Sequence, residues 1–365
     1  MEKVKIGIVG CGNISPIYFK NCINTFEILE VKACADLLFE RAEAKAAEYG
    51  IKALTVEEMM NDDEIEIIIN LTIPNAHYSV CNTALDAGKS VHTEKPLSIL
   101  FEEGKALVKK AKGKGLLLGG APDTFLGAGI QTCRKLIDDG WIGDPIGATA
   151  FMLCPGHESW HPSPEFYYKK GGGPMFDMGP YYLTALVNLL GPVDNVAGSV
   201  SMTRKQRTIT SKPLKGTVMD VEVPTHVTGL LNFKNGAIGT IITSFDVYGG
   251  NVPRIEIYGT QGSLSVPDPN GFGGPVKVKI RGNEWADVPL THIYHENSRG
   301  IGVADMAYAL RNNRINRCSG ELACHVLEIM HGIHIASDNK ANYTLETSCA
   351  RPEPLPTDLL FGRLE

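Results

Sequence analysis

Lys5-Ile6-Gly7-Ile8-Val9-Gly10-Cys11-Gly12-Asn13-Ile14-Ser15 is the stretch that decides the fold. Lys5–Val9 is a short, β-branched apolar run, which predicts a buried strand. A Gly-x-Gly-x-x-Ser turn follows, and then a helix-compatible segment. The first glycine, Gly10, permits a tight turn. The second, Gly12, lets a pyrophosphate approach the backbone, and the third position needs a small residue for close packing of helix on strand. Ser15 is small, although it departs from the usual Gly or Ala. The helix start offers unpaired N–H groups and a positive dipole end to phosphate, which places Asn13 and Ile14 with the two glycines as candidate cofactor residues. A second strand, Glu30–Ala35, ends at Asp36, 21 residues beyond Ser15. A carboxylate there accepts both ribose hydroxyls and repels a 2′-phosphate, which favours NAD over NADP. Arg41, one turn into the next helix, keeps NADP open.

Outward from this turn the chain alternates. Phe39–Tyr49 predicts a helix that Gly50 stops, and Glu66–Leu71 is a nearly unbroken apolar run of the kind a doubly covered parallel strand shows. A helix over about 76–87, the strand Ser90-Val91-His92, a helix over about 98–111 and the strand Leu116–Gly119 complete the series. Such alternation predicts βαβ units in a Rossmann α/β domain over residues 1–123. Beyond Asp123 the pattern changes to short strands: Pro145–Cys154, Thr225–Phe233 and Ala237–Phe245 around a primed Asn235-Gly236 turn, Arg254–Tyr258, Ser263–Val266 and Val276–Ile280. Residues 124–365 are therefore expected to form an α+β domain with an open, mostly antiparallel sheet. Ile242, Phe245, Val247 and Tyr258 suggest an apolar sheet face that needs cover, and a homodimer or homotetramer would supply it. Helices over about 303–311 and 321–336 are expected to pack back on the molecule.

The 365 residues suit two domains. Lys and Arg number 35 against 41 Asp and Glu, a net charge of −6, which argues against a general nucleic-acid binder. No run approaches the ~18 apolar residues of a membrane span, and the N-terminal apolar run is too short for a signal peptide. Nine cysteines without a Cys-x-x-Cys pair read as reduced thiols in a cytoplasmic protein. The basic stretch Arg204-Lys205-Gln206-Arg207, with Lys212 and Lys215, is expected to be a solvated or partner-contacting arm.

Glu94-Lys95-Pro96 follows the predicted strand at the carboxyl edge of the sheet, where open α/β folds bind ligands. A lysine beside an oxidised nicotinamide would have a lowered pKa and could share the proton of an alcohol. With Gly7–Ile14, Ala35-Asp36, Thr72–His77, Ala87–Pro96, Gly171-Gly172-Gly173, Asp177-Met178-Gly179 and Tyr258–Leu264 in this order, the chain resembles the glucose–fructose oxidoreductase, inositol dehydrogenase and MocA family. The resemblance implies a nicotinamide oxidoreductase with Lys95 in its active site. It also implies that Thr72, Pro74, Asn75, His77 and Glu94 line the cofactor, and that the second domain serves oligomerisation. For His77 a role in tying down its own loop stands beside direct contact.

Phe176–Leu190 predicts a helix stopped by Gly191-Pro192. Asp177 and Tyr181 share one face at i and i+4, and Thr184 and Asn188 continue a polar stripe that pattern alone reads as solvated. The resemblance instead puts Asp177 in the site, with Tyr181 where relatives often carry His and Thr184 where many carry Asp. Our expectation is that Lys95 lowers the Tyr181 phenol and holds the substrate oxygen, while Tyr181, or Lys95 itself, takes the proton. Asp177 would accept from a neighbouring substrate hydroxyl. His157-Glu158-Ser159-Trp160-His161 matches a zinc-protease pattern, but Pro155-Gly156, Pro162 and Pro164 oppose the helix that zinc binding needs. No metal is assigned there, nor to Glu328, His331 and His334, which read as a polar helix face; Trp160 and His161 are assigned to a sugar-like substrate. The sequence thus points to hydride transfer between NAD and a secondary alcohol of a sugar, inositol or related polyol. Two other readings stay open: a glycosidase-like enzyme working by transient oxidation and elimination, and a non-catalytic NAD-binding regulatory module.

Overall fold

The computed structural model describes residues 1–365. The first unit runs β1 (Val4–Val9), α1 (Ser15–Asn24), β2 (Leu29–Ala35), α2 (Phe39–Tyr49), β3 (Lys52–Ala53), α3 (Val56–Met60), β4 (Ile67–Asn70), α4 (Pro74–Asp86), β5 (Ser90–Thr93), α5 (Phe101–Lys114) and β6 (Leu118–Gly120). Its six strands lie in the order β3-β2-β1-β4-β5-β6, all parallel. Ile67, Ile68 and Ile69 are fully buried, as expected of a strand covered on both faces. The order reverses at β1, so a crevice opens between the carboxyl ends of β1 and β4.

The second unit starts with α6 (Ala128–Asp138), β7 (Pro145–Leu153), α7 (Pro174–Leu190), β8 (Val193–Ser201), β9 (Gln206–Thr208) and β10 (Val218–Asp220). It continues through β11 (His226–Phe233), β12 (Ile238–Ser244), β13 (Ile255–Gly259), β14 (Gly262–Val266), β15 (Val276–Ile280), β16 (Ala286–Val288), α8 (Ile301–Asn312), α9 (Gly320–Asn339) and β17 (Tyr343–Thr344). Nine strands form one mixed sheet, β16-β15-β14-β13-β7-β12-β11-β8-β17, antiparallel except where β12 runs parallel to β7. Helix α8 packs on β5 and β6 of the first sheet, and α9 packs on β6, α5 and β8, so it ties the two units together.

Several expectations are corrected here. The β11–β12 turn is not a primed two-residue turn. Phe233 and Ala237 are its closing pair, and only Gly236, at φ +91°, is left-handed, so the loop is a three-residue turn with a glycine bulge. Phe245 does not belong to the open sheet face; it is fully buried. That face carries Ile238 and Leu230, both exposed, with Ile242 and Tyr258 half-buried. Helix α7 has no solvated stripe: Thr184 and Asn188 are buried because α6 and α9 pack against it as well as the sheet. Arg207 is no solvated arm, being only 4% exposed. Glu328 is not part of an open polar face either; it is fully buried and accepts from the amides of Glu346 and Thr347.

Candidate active site

The Gly10 turn is built by contact. Gly10 has φ +102°, and a Cβ there would lie 2.7 Å from the Leu71 carbonyl, so only glycine fits where β1 meets the end of β4. Asp36 holds the turn from the other side: its carboxylate accepts from the Cys11 amide at 2.8 Å and the Leu38 amide at 2.9 Å. A Cβ on Gly12 would meet nothing within 4 Å. The amides of Gly12, Asn13 and Ile14 find no acceptor in the protein. An open cradle, three unused N–H groups and a helix start together fit the pyrophosphate of a dinucleotide.

Ile14, Thr72, Pro74, Asn75, Glu94 and Lys95 line a cleft of about 710 Å³, closed on its far side by Phe166, Tyr167, Phe176, Asp177 and Tyr181 of the second unit. Lys169 and Lys170 also border it. Thr72 is oriented by its hydroxyl, which donates to Asn70 Oδ1 at 2.6 Å. Glu94 accepts from the Tyr18 hydroxyl at 2.6 Å and from the Lys95 amide at 3.1 Å. His77 does not face the cleft. It is fully buried, with Nδ1 2.6 Å from the Pro96 carbonyl and Nε2 3.0 Å from that of Thr72. It braces the loops after β4 and β5.

A second chamber, about 470 Å³, adjoins the first. Lys95, Tyr167, Asp177 and Tyr181 line both. Cys154, His157, Ser159, Trp160 and Asn270 are among the other residues that line the second. Trp160 is at its mouth, 61% exposed. His161 borders neither space; its Nδ1 accepts from the Ser163 amide at 3.0 Å and its ring packs edge-on to Phe166 and Tyr167. The His-Glu-x-x-His stretch is a turn rather than a helix, and Glu158 faces Arg207 and Tyr168. The sequence missed Tyr167, Asn270 and Arg299, and showed His157 only as part of the zinc-protease-like pattern. They come from three separate loops.

Lys95 Nζ donates to Asp177 Oδ1 at 2.9 Å and to the Asp177 carbonyl at 2.5 Å. Asp177 Oδ2 is 3.1 Å from His157 Nε2, so both carboxylate oxygens already hold a protein donor. Burial opposes the ionised Asp177, but Lys95 and His157 outweigh it and hold the carboxyl at about 2. Burial likewise opposes the Lys95 ammonium, yet Asp177, Tyr181 and Glu94 raise it above its ordinary value. In the protein alone its nearest charge is an anion, whereas the lowering expected of it belongs to a lysine beside an oxidised nicotinamide. The expected net lowering of the Tyr181 phenol is corrected. Burial raises it; Lys95, 5.4 Å from the ring centre, and Arg299, facing the hydroxyl, offset only part of that.

A dinucleotide cleft at the switch point, opening beside a lysine, a carboxylate and a phenol, defines a nicotinamide-type oxidoreductase. Residues 4–120 match the family described as "Oxidoreductase family, NAD-binding Rossmann fold", and residues 130–265 match the GFO/IDH/MocA C-terminal domain. The chain belongs to the GFO/IDH/MocA family and is an NAD-binding oxidoreductase of the dehydrogenase kind. It is 26% identical to scyllo-inositol 2-dehydrogenase (NAD(+)) of Bacillus subtilis over 268 residues, 73% of this chain and 74% of that enzyme. It is 30% identical over 147 residues to inositol 2-dehydrogenase/D-chiro-inositol 3-dehydrogenase of Lactiplantibacillus plantarum, 39% of this chain and 42% of that one. In fold it is similar to an NAD binding oxidoreductase from Klebsiella pneumoniae, with TM-score 0.81, 20% identity, and 94% of this chain and 99% of that chain covered. It is also similar to levoglucosan dehydrogenase in complex with NADH and levoglucosan, with TM-score 0.80, 20% identity and the same coverage.

Proposed function

We propose that this chain transfers a hydride between NAD and a secondary alcohol of an uncharged sugar, inositol or related polyol. One observation carries the reading: the cofactor cleft and the second chamber meet at Lys95, Asp177 and Tyr181. The only charged side chains lining the second chamber are Lys95 and Asp177, and they neutralise each other. Trp160, Tyr167, Ser159 and Asn270 suit a ring with hydroxyls.

Gly12, Asn13 and Ile14 bind the pyrophosphate, and Asp36 takes the ribose of the adenosine half. Thr72, Pro74, Asn75 and Glu94 guide the other half toward Lys95. Bound NAD supplies the acceptor for the hydride. Lys95 holds the substrate oxygen with a spare ammonium hydrogen, and Tyr181 exchanges the hydroxyl proton. Because burial keeps the phenol protonated at neutral pH, oxidation speeds up as pH rises and ketone reduction does not. Tyr181→Phe is the test: we expect at least a 100-fold loss of turnover (the scale of about 10² to 10⁴ set by general acid–base catalysis) and loss of the alkaline rise. Unchanged turnover on a polyol that the native protein oxidises would refute the assignment. Sugar release from a glycoside without accumulating NADH would replace the dehydrogenase reading.

The open sheet face with Ile238 and Leu230 supports a homodimer or homotetramer. All nine cysteines are free thiols, which supports a reducing, cytoplasmic setting. No helix is long and apolar enough to cross a membrane.

A further inference from the structure

His157 stands against the reacting centre, yet hydride transfer as described above does not use it. Its ring is packed among Tyr167, Phe245 and Trp160, with centroid distances of 4.0, 4.6 and 5.2 Å. Its side chain is 9% exposed. Nε2 is 3.1 Å from Asp177 Oδ2, the oxygen turned away from Lys95. Nδ1 is buried and has no partner. A hydrogen on Nδ1 would be a donor without an acceptor, in an aromatic box that water does not reach. A hydrogen on Nε2 meets a carboxylate. The hydrogen-bond arrangement therefore selects the Nε2–H tautomer.

The loop that presents this ring is held from beneath. The His157 amide donates to the Tyr168 hydroxyl at 3.1 Å, and that hydroxyl donates to Glu158 Oε2 at 2.5 Å. Glu158 Oε1 accepts from Arg207 Nη1 at 2.5 Å. Arg207 also donates to the carbonyls of Pro155, in the same loop, at 3.1 Å and of Phe245, just after β12, at 2.8 Å. A buried guanidinium from β9 thus fixes where the imidazole stands.

We propose that His157 is a positioning residue: its Nε2–H clamps the Asp177 carboxylate from the side opposite Lys95, so that Oδ1 and the Lys95 ammonium keep one geometry during hydride transfer. Its link to rate rests on the dehydrogenase reading; its hydrogen-bonding state does not. Without this donor, Oδ2 is left with no protein partner, and the carboxylate is free to rotate and draw Lys95 away from the substrate oxygen.

The experiment uses the full-length protein with His157→Leu and His157→Gln, checked for native thermal unfolding. Kinetics are read by NADH absorbance with inositol or whichever polyol the native protein oxidises. In His157→Leu, kcat falls about 10- to 100-fold, the scale of a lost hydrogen bond to a charged group, while KM changes by less than about threefold. In His157→Gln, whose amide N–H reaches the same oxygen, kcat recovers to within about threefold of native. Equal losses in the two variants, or native kcat in His157→Leu, overturn the proposal. The second readout needs no turnover. In ring-¹⁵N-histidine apoprotein at pH 8, with the His157 signals identified by their loss in His157→Gln, Nε2 shows the protonated and Nδ1 the unprotonated shift. A hydrogen on Nδ1 with none on Nε2 overturns the proposal. If the native protein forms no NADH with any polyol, the functional reading falls, and the ¹⁵N spectrum still decides whether His157 donates to Asp177.

Discussion

Lys95 Nζ and Asp177 Oδ1, 2.9 Å apart, join the two units of the molecule at the point where the cofactor cleft meets the second chamber. Lys95 comes from the segment after β5 and Asp177 from the first turn of α7. Both side chains are mostly buried, 18% and 15% exposed, so each is the other's main compensation for lost water. Lys95→Met is expected to leave a buried carboxylate facing only His157, to destabilise the protein by about 3 kcal/mol, and to lower turnover at least about 100-fold. The double variant Lys95→Met with Asp177→Leu should regain most of the stability and none of the activity. Urea unfolding and NADH absorbance measure the two effects; a double variant no more stable than the single one contradicts this account.

The two glycines of the first turn are expected to behave differently. Gly10→Ala places a methyl 2.7 Å from the Leu71 carbonyl at a φ of +102°, so it lowers stability with or without cofactor. A Cβ on Gly12 meets no protein atom within 4 Å, so Gly12→Val is expected to leave the apoprotein's melting temperature nearly unchanged while occupying the space of the pyrophosphate. NADH fluorescence titration should show at least a tenfold loss, about 1.4 kcal/mol. Unaltered NADH binding by Gly12→Val would place the dinucleotide elsewhere.

Asp36 accepts two backbone amides yet keeps lone pairs open to a ribose. Asp36→Ser removes the charge that repels a 2′-phosphate. Binding of NADH should weaken about tenfold or more while the ratio of NADPH to NADH affinity rises by a similar factor. Side-by-side fluorescence titrations of the two cofactors decide it; an unchanged ratio means that Asp36 does not set the preference.

Acid sensitivity should come from buried imidazoles as much as from carboxylates. His92, in β5, is fully buried with no partner for either ring nitrogen, and burial pushes it down to about 4. His325 is pushed down to about 4 as well, again chiefly by burial. Both folded values lie below the unfolded value of about 6.5, so the stability they contribute is fully present above that pH and is lost as pH falls toward 4. Each contribution is on the order of 3 kcal/mol. Melting temperature followed from pH 8 to 4 should begin to drop below about pH 6.5, and His92→Leu should flatten part of the drop. A native profile that stays flat down to pH 5 would contradict this.

The sequence by itself determined the first sheet and its ligand crevice, because their signals are local. Strand, glycine turn, helix start and the acid after the second strand all lie within Lys5–Asp36, and each obeys short-range sterics or hydrogen bonding. The unbroken apolar run Ile67-Ile68-Ile69 announced a strand covered on both sides for the same reason. Lys95, Asp177 and Tyr181 were nameable from short motifs, but their charge states were not. A phenol raised by burial, a lysine raised by a carboxylate from 82 residues away and a histidine hidden inside a metal-like pattern depend on what is packed around them. The same holds for the stripe of α7, which a period of 3.6 reads as solvated but three packing partners bury. Periodicity reports which residues share a face. Only the tertiary structure decides what that face meets, because the dielectric around a side chain and its nearby charges are set by distant parts of the chain.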